Sequence, residues 1–305
     1  MKKTIDIIYE DKWLVAIDKP SGLMSVAGNR KDVETAYMLV NDYLMHKYNG
    51  RVKAHVLHRL DRDTSGVLLF AKDFGVKRAM TDNWNERVVE RKYVAVVDGV
   101  PENGNAPKTK TESNASGNNG KNAGDESREN TEPRHGRIVS WLTENEKNFM
   151  VYSSLTDNGG EMAVTNWKVL KTDGNRSLVE FLLETGRKNQ IRVQSATHLH
   201  CPILGDAKYG DGKSARRLCL HAKALGIVHP ITHKVLKITA NTPRYFNGLV
   251  GSEQPVAPNK AKAENRHPET NQNSARGMNG PHSKQMNSDK NTPVKHAKTS
   301  DKRGK

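Results

Sequence analysis

Ile5, Ile7 and Tyr9 alternate with other residues, and an apolar run from Trp13 to Ile17 stops at Lys19-Pro20-Ser21-Gly22. The chain is therefore predicted to open with two short strands and a turn. The period then changes. Ala36, Leu39, Val40, Tyr43 and Leu44 recur at helical spacing within 33–47, ahead of Gly50, which predicts a helix there. Val67 to Ala71 is a short continuous apolar run of the kind found in a buried strand. Residues 74–90 return to helical spacing through Val76, Met80, Arg87 and Val88, and Tyr93 to Val97 to strand. Further strand-like runs cover 136–142, 148–153, 162–170 and 177–183. Thr185-Gly186, ahead of Arg187 to Ala196, offers a hydroxyl cap and sets Ile191 and Ser195 on one face of a second helix. Strands at 218–223 and 234–239 complete the pattern. Many strands and few, irregularly placed helices make an α+β order, and a doubly wound parallel sheet is not expected.

Two stretches interrupt this pattern. Between Pro101 and Arg134 the sequence is mostly Asn, Gly, Lys, Glu, Ser and Thr, and apart from proline its apolar residues are Ala106, Ala115 and Ala123. Residues 251–305 contain no Leu, Ile, Phe, Tyr or Trp. Neither stretch can bury enough apolar area to offset roughly 1–2 kcal/mol of backbone entropy per ordered residue, so both are expected to be disordered. The 305-residue chain then reads as one folded domain over 1–250, interrupted by an insert at 101–134 and followed by a tail at 251–305. The insert falls between two strands, where added length costs little.

Charge divides the same way. Of the net +15, the tail holds eleven Lys and Arg against five Asp and Glu and the insert five against six, which leaves +10 on the rest. A folded body this basic is expected to meet a polyanion such as nucleic acid or an anionic membrane surface. No apolar run approaches the roughly 20 residues that span a bilayer, and Asp6, Glu10 and Asp11 interrupt what would have to be the core of a signal peptide. Two cysteines, Cys201 and Cys219, make no disulfide framework and fit a reducing compartment. A soluble cytoplasmic protein is expected. His198, His200, Cys201, Cys219 and His221 offer soft ligands, but H-x-H-C and C-x-H do not match zinc spacings, so no metal is expected.

Three segments are dense in polar residues between apolar runs. His58-Arg59-Leu60-Asp61-Arg62-Asp63-Thr64-Ser65-Gly66 sets two carboxylates among two arginines and a histidine, with a tight turn able to hold one of them. A carboxylate kept ionised by an arginine is a usable nucleophile or base; alone, the segment also reads as a salt-bridged, capped loop. Gly186-Arg187-Lys188-Asn189-Gln190-Ile191-Arg192 gathers three cations at a helix N-terminus, which suits phosphates or, more plainly, a solvated basic face. Arg91-Lys92-Tyr93 opens an apolar strand, where a tyrosine serves as core or as a stacking platform.

Together the blocks HRLDRDTSG-VLLFAK, RKYVAVVDG, ETGRKNQIRVQ, CPILGDAKYG and LCLHAKAL, in that order, resemble the RluA-type pseudouridine synthases, as does the opening YEDKWLVAIDKPSGLMSV. The resemblance covers about residues 5–243 apart from the insert. It implies a mixed, mostly antiparallel sheet flanked by helices around an RNA cleft, and isomerisation of uridine in ribosomal or transfer RNA without a cofactor. It makes Asp61 the catalytic carboxylate, Tyr93 the ring that stacks on a flipped uracil and assists proton removal, and Arg192 the partner of Asp61. Arg59 would enter the RNA stack, with Arg62, Arg187, Lys188 and Gln190 on RNA, and Leu60 and Ile191 in the pocket wall. Against the family's usual GRTHQIRVH, Lys188, Asn189 and Gln194 replace Thr, His and the last His, and Cys201 stands where many relatives have His. The first three departures bear on RNA contact rather than chemistry, and Cys201 is an isolated change beside Pro202. Many relatives carry a separate RNA-binding domain ahead of the catalytic one; here the first strand starts close to Met1, so recognition is expected from the catalytic body and the basic tail. Large-subunit ribosomal RNA is the first expectation, transfer RNA the second, and a monomer is expected. The competing class is a non-catalytic RNA-binding or ribosome-assembly factor.

Overall fold

The structure, a computed structural model, describes residues 5–28, 33–103 and 134–251. They belong to one unit, Met1–Pro258. Most of the insert and the tail, and with them the expectation of disorder, lie outside the described residues.

The opening runs form β1 (Asp6–Glu10) and β2 (Leu14–Lys19), joined at Asp11, whose carboxylate accepts from the N–H groups of Trp13 and Leu14 at 2.7 and 2.6 Å. Helix α1 (Ala36–Lys47) starts where Thr35 caps the N–H of Met38, and it turns Ala36, Leu39, Val40 and Leu44 inward. A two-residue strand, β3 (His55–Val56), precedes β4 (Ser65–Ala71). Val67, Leu69 and Ala71 of β4 pack into one core cluster and Leu68 and Phe70 into another. Both faces of β4 are thus covered, and for that reason its sequence is continuously apolar rather than alternating.

The helix expected over 74–90 breaks. After α2 (Phe74–Thr81) comes a single turn, α3 (Trp84–Arg87), and Val88 opens β5 (Val88–Asp98). Val88 is buried and pairs with Ile227, so sheet pairing by the β-branched Val88-Val89 overrides a weak helical period. β6 (His135–Glu144), β7 (Val151–Ser154), β8 (Glu161–Thr172) and β9 (Arg176–Leu183) follow. The second helix also differs from expectation: α4 (Gln190–His198) begins five residues after Thr185, because Asn189 adopts φ +55° and cannot continue a helix backwards. β10 (Leu220–Val228), β11 (Val235–Thr239) and a short α5 (Arg244–Leu249) complete the unit.

The strands form one sheet in the order β1-β2-β4-β10-β5-β9-β8-β6-β7, with β3 beside β4 and β11 beside β10. Among the described strands β4 and β10 pair in parallel and the other pairs are antiparallel. This is the mixed, mostly antiparallel α+β sheet that was expected. Its centre matters most for function, because the register sets Gly66, Ala222 and Tyr93 in one row across three strands. Gly66 has φ +111°, and a Cβ there would lie 2.2 Å from the carbonyl oxygen of Ala222. Only glycine lets β4 approach β10 closely enough to deliver the preceding loop beside Tyr93.

Candidate active site

The loop ahead of β4 is fastened from behind by the turn after β2. Lys19, which has no exposed surface, donates from Nζ to the carbonyl oxygens of Leu23, Arg62 and Pro20 at 2.7, 3.0 and 3.1 Å. Burial pulls its pKa down to about 8, against the opposing pull of Asp63 and Asp61. Ser25 Oγ donates to Leu60 O at 2.7 Å and accepts from Leu60 N at 3.0 Å, and Ser21 Oγ donates to Asp63 O at 2.7 Å. His58 adds a contact at the loop's start, its Nε2 accepting from the N–H of Leu69 at 3.1 Å. The backbone on both sides of Asp61 is therefore pinned, while its side chain remains 38% exposed.

That side chain meets Arg192 of α4, whose Nη1 lies 3.2 Å from Asp61 Oδ2. Arg192 is held in turn by a partner with no exposed side-chain surface, Asp206, through two parallel bonds of 2.7 Å from Nε and Nη2. Asn189 Oδ1 accepts from Nη1 at 3.1 Å. Burial works against the Arg192 charge, but the bonds to Asp206 and the nearby Asp61 outweigh it and raise its pKa. A fixed guanidinium thus faces an accessible carboxylate, an arrangement that keeps the carboxylate available as nucleophile or base.

Tyr93 projects from β5 beside this pair, packed between two of the core clusters. Burial first, then the Asp61 carboxylate, push its hydroxyl up to about 12, with Arg91 opposing. It is held as a neutral phenol with a ring suited to stacking.

All ten residues singled out by sequence line one cleft of about 700 Å³. Leu60 and Ile191 form buried wall. Arg59 is exposed and has no hydrogen-bond or ion-pair partner among the described residues. Arg62 is exposed and bonds Asp63 at 3.0 and 3.2 Å. Arg187 and Lys188 lie directly ahead of the Asn189 cap of α4, as expected, exposed and with Arg187 paired to Glu161 at 2.6 Å and Lys188 to Glu144. One expectation changes. Gln190 is buried with its amide committed to protein: Oε1 accepts from Thr185 Oγ1 and Arg187 N, and Nε2 donates to Val164 O and Thr165 Oγ1, all within 3.1 Å. It supports the loop and has no amide hydrogen left for RNA. Gln194, one of the departures, is buried away from the cleft on Thr165, Ser140 and Ala163.

Sequence reasoning missed Asp206, although it sat in the quoted CPILGDAKYG block; an acid between an apolar run and a turn was the available signal. It also missed Trp84, and it named Arg91 without a role, although both stand in the cleft wall. Of the soft ligands, His198 Nε2 is bonded to Ser153 Oγ at 2.7 Å and His221 Nδ1 to Ser65 Oγ at 2.9 Å. Among the described residues no three His, Cys, Asp or Glu side chains are grouped as a metal site, and no helix is long and apolar enough to cross a membrane.

The family model for RNA pseudouridylate synthase matches residues 13–197, a stretch that contains Asp61, Tyr93 and Arg192. The chain belongs to that family. It is an isomerase of uridine in RNA, and the reading as a non-catalytic RNA-binding factor gives way. Among its relatives is the ribosomal large subunit pseudouridine synthase C of Rickettsia bellii, 32% identical over 79% of this chain and 69% of the relative. An uncharacterized RNA pseudouridine synthase of Zymomonas mobilis is 32% identical over 80% of this chain and 96% of its own length. The solved human RNA pseudouridylate synthase domain containing 4 shares the fold, with a TM-score of 0.57 at 23% identity over 80% of this chain and 91% of that one.

Proposed function

We propose that this enzyme converts a specific uridine of large-subunit ribosomal RNA to pseudouridine, acting as a cytoplasmic monomer without a cofactor, with Asp61, Tyr93 and Arg192 at the reacting centre. The observation that carries the assignment is the Asp61 carboxylate opposed at 3.2 Å by an arginine that Asp206 holds rigid. The ribosomal substrate is supported by the names of relatives such as the Rickettsia bellii enzyme.

A uridine inside folded RNA exposes neither C1′ nor its base edge to a side chain, so it must be extruded at a cost of a few kcal/mol. Arg59, with an unengaged guanidinium at the cleft, fills the gap left in the stack, and Tyr93 stacks on the extruded uracil. Asp61 then either attacks the ribose or removes one of its protons, and the N1–C1′ bond breaks. The uracil turns and C5 bonds to C1′ as the bond from Asp61 breaks in the first route, or as the abstracted proton returns to the ribose in the second, and the proton lost from C5 is balanced by one gained at N1. The product is an isomer, so no co-reactant enters the balance. Arg192 opposes the Asp61 charge while RNA excludes water from the cleft.

The test is a site-resolved pseudouridine map of host RNA with and without the gene, rescued by wild type or by Asp61→Asn. Loss of one or more large-subunit positions, restored by wild type alone, is expected. Loss in transfer RNA instead would move the substrate, and restoration by Asp61→Asn would overturn the role of Asp61.

A further inference from the structure

The hairpin between β6 and β7 carries a side chain that neither the core nor the cleft uses. Phe149 stands there 63% exposed, with a backbone φ of +55° that bulky residues rarely adopt. The loop is bonded to hold it so. Asn145 N donates to Met150 O, and Phe149 N to Asn145 O, both at 2.8 Å. Asn145 Oδ1 accepts from the N–H groups of Lys147 and Asn148 at 2.9 and 3.3 Å.

Two cations tie the tip to the active-site rim. Lys188, which lines the cleft and pairs with Glu144, places its Nζ 5.8 Å from the centre of the Phe149 ring. Lys208 donates from Nζ to Phe149 O at 2.9 Å, and it belongs to the turn that begins at Asp206, the holder of Arg192. An exposed phenylalanine by itself is ordinary. Here the four residues before it are Asn145, Glu146, Lys147 and Asn148, and the apolar Met150 after it is partly buried, so the loop surface around the ring is mostly polar rather than the broad apolar patch that a protein or lipid partner would cover. An aromatic face with Lys188 over it, Lys208 on its carbonyl and Lys147 two residues before it in the chain, against Glu144 and Glu146, matches a ligand that is flat and apolar on one side and anionic on the other.

We propose that Phe149 is a stacking platform for an unpaired base of the RNA substrate outside the uridine cleft, with Lys147, Lys188 and Lys208 facing the neighbouring phosphates. The inference rests on the RNA-modifying reading of the cleft. It extends the footprint to a second base, held by stacking rather than by base-edge hydrogen bonds, so tolerance of base identity is expected at that position. It also gives the Lys188–Glu144 pair a role: a phosphate drawn to the platform competes with Glu144 for Lys188.

The test uses Phe149→Asn, because asparagine accepts positive φ and keeps the loop while removing the ring. Kd is measured with transcribed large-subunit ribosomal RNA on proteins that also carry Asp61→Asn, and KM and kcat on proteins with Asp61 intact. Phe149→Asn is expected to raise Kd and KM by about 5- to 100-fold, with kcat at saturating RNA moving far less, and Phe149→Trp, which keeps a stacking ring, is expected to leave both near the wild-type values. An unchanged Kd and KM in Phe149→Asn overturns the platform even if the wild type isomerises uridine. Absence of turnover in the wild type strikes the proposed function instead, and the Kd comparison still decides the platform.

Discussion

Arg192 has to remain charged in a largely buried place and still meet a carboxylate that faces solvent. Asp206 makes this possible, since a bidentate buried partner fixes the guanidinium plane and leaves one Nη1 hydrogen for Asp61 and one for Asn189. Removing one member of such a buried pair typically costs about 3–5 kcal/mol. Asp206→Asn is therefore expected to destabilise the protein by that order and, where it remains folded, to lower kcat at least about tenfold, because small misplacements of a reacting pair are expensive. RNA affinity should change less, as Asp206 is sealed from the cleft. Turnover and urea unfolding measured side by side decide this, and unchanged kcat in the folded variant would show that Arg192 needs no second carboxylate.

At the scale of elements, α4 is fixed to the sheet by polar groups as much as by apolar ones. Its Gln194 reaches Thr165 and Ser140, Ser140 meets Ser153, and Ser153 meets His198 at the helix end. Gln190 anchors the opposite end. The departures from the family pattern become intelligible in this setting: Gln194 sits in the buried chain, Asn189 supplies both the positive φ and an oxygen for Arg192, and Lys188 alone of the three reaches the outer rim. Loss of buried hydrogen-bond partners of this kind costs about 1–3 kcal/mol. Gln190→Ala is expected to lower stability by that amount while leaving the RNA affinity of the folded variant nearly unchanged. A clear loss of affinity in a folded variant would instead return Gln190 to the RNA surface.

At the scale of the whole molecule, stability is tied to pH through two histidines kept neutral. Burial, aided by Arg91, lowers His58 from its ordinary 6.5 to about 4; burial, aided by Lys223 and Arg217, does the same to His221. Between those values the unfolded chain binds more protons than the folded one, so stability is fully present above about pH 6.5 and is lost as the pH falls toward 4. His58 must also stay neutral at Nε2 to accept from Leu69, which ties the acid loss to the loop that carries Asp61. Urea midpoints at several pH values between 4 and 7 should fall in acid for the wild type and fall less steeply for His58→Gln and for His221→Gln. Equal slopes in all three proteins would count against this assignment.

What the sequence determined by itself was whatever repeats locally or is concentrated in short blocks. The all-apolar Val67 to Ala71 announced a strand covered on both faces, the spacing of Ala36 to Leu44 announced α1, and the contiguous polar content of HRLDRDTSG marked a loop with two carboxylates, of which the resemblance made Asp61 the catalytic one. Tertiary structure decided what depends on partners far along the chain. Val88 became strand because Ile227 pairs with it. Gln190 turned inward because Val164 and Thr165 offered acceptors, and Glu161 and Glu144 claimed Arg187 and Lys188. Asp206 acquired its role only when a turn beyond α4 brought it against Arg192. A residue's period and charge are encoded at its own position, whereas hydrogen-bond satisfaction of a buried polar group is a property of the pair, and the pair exists only in the folded chain.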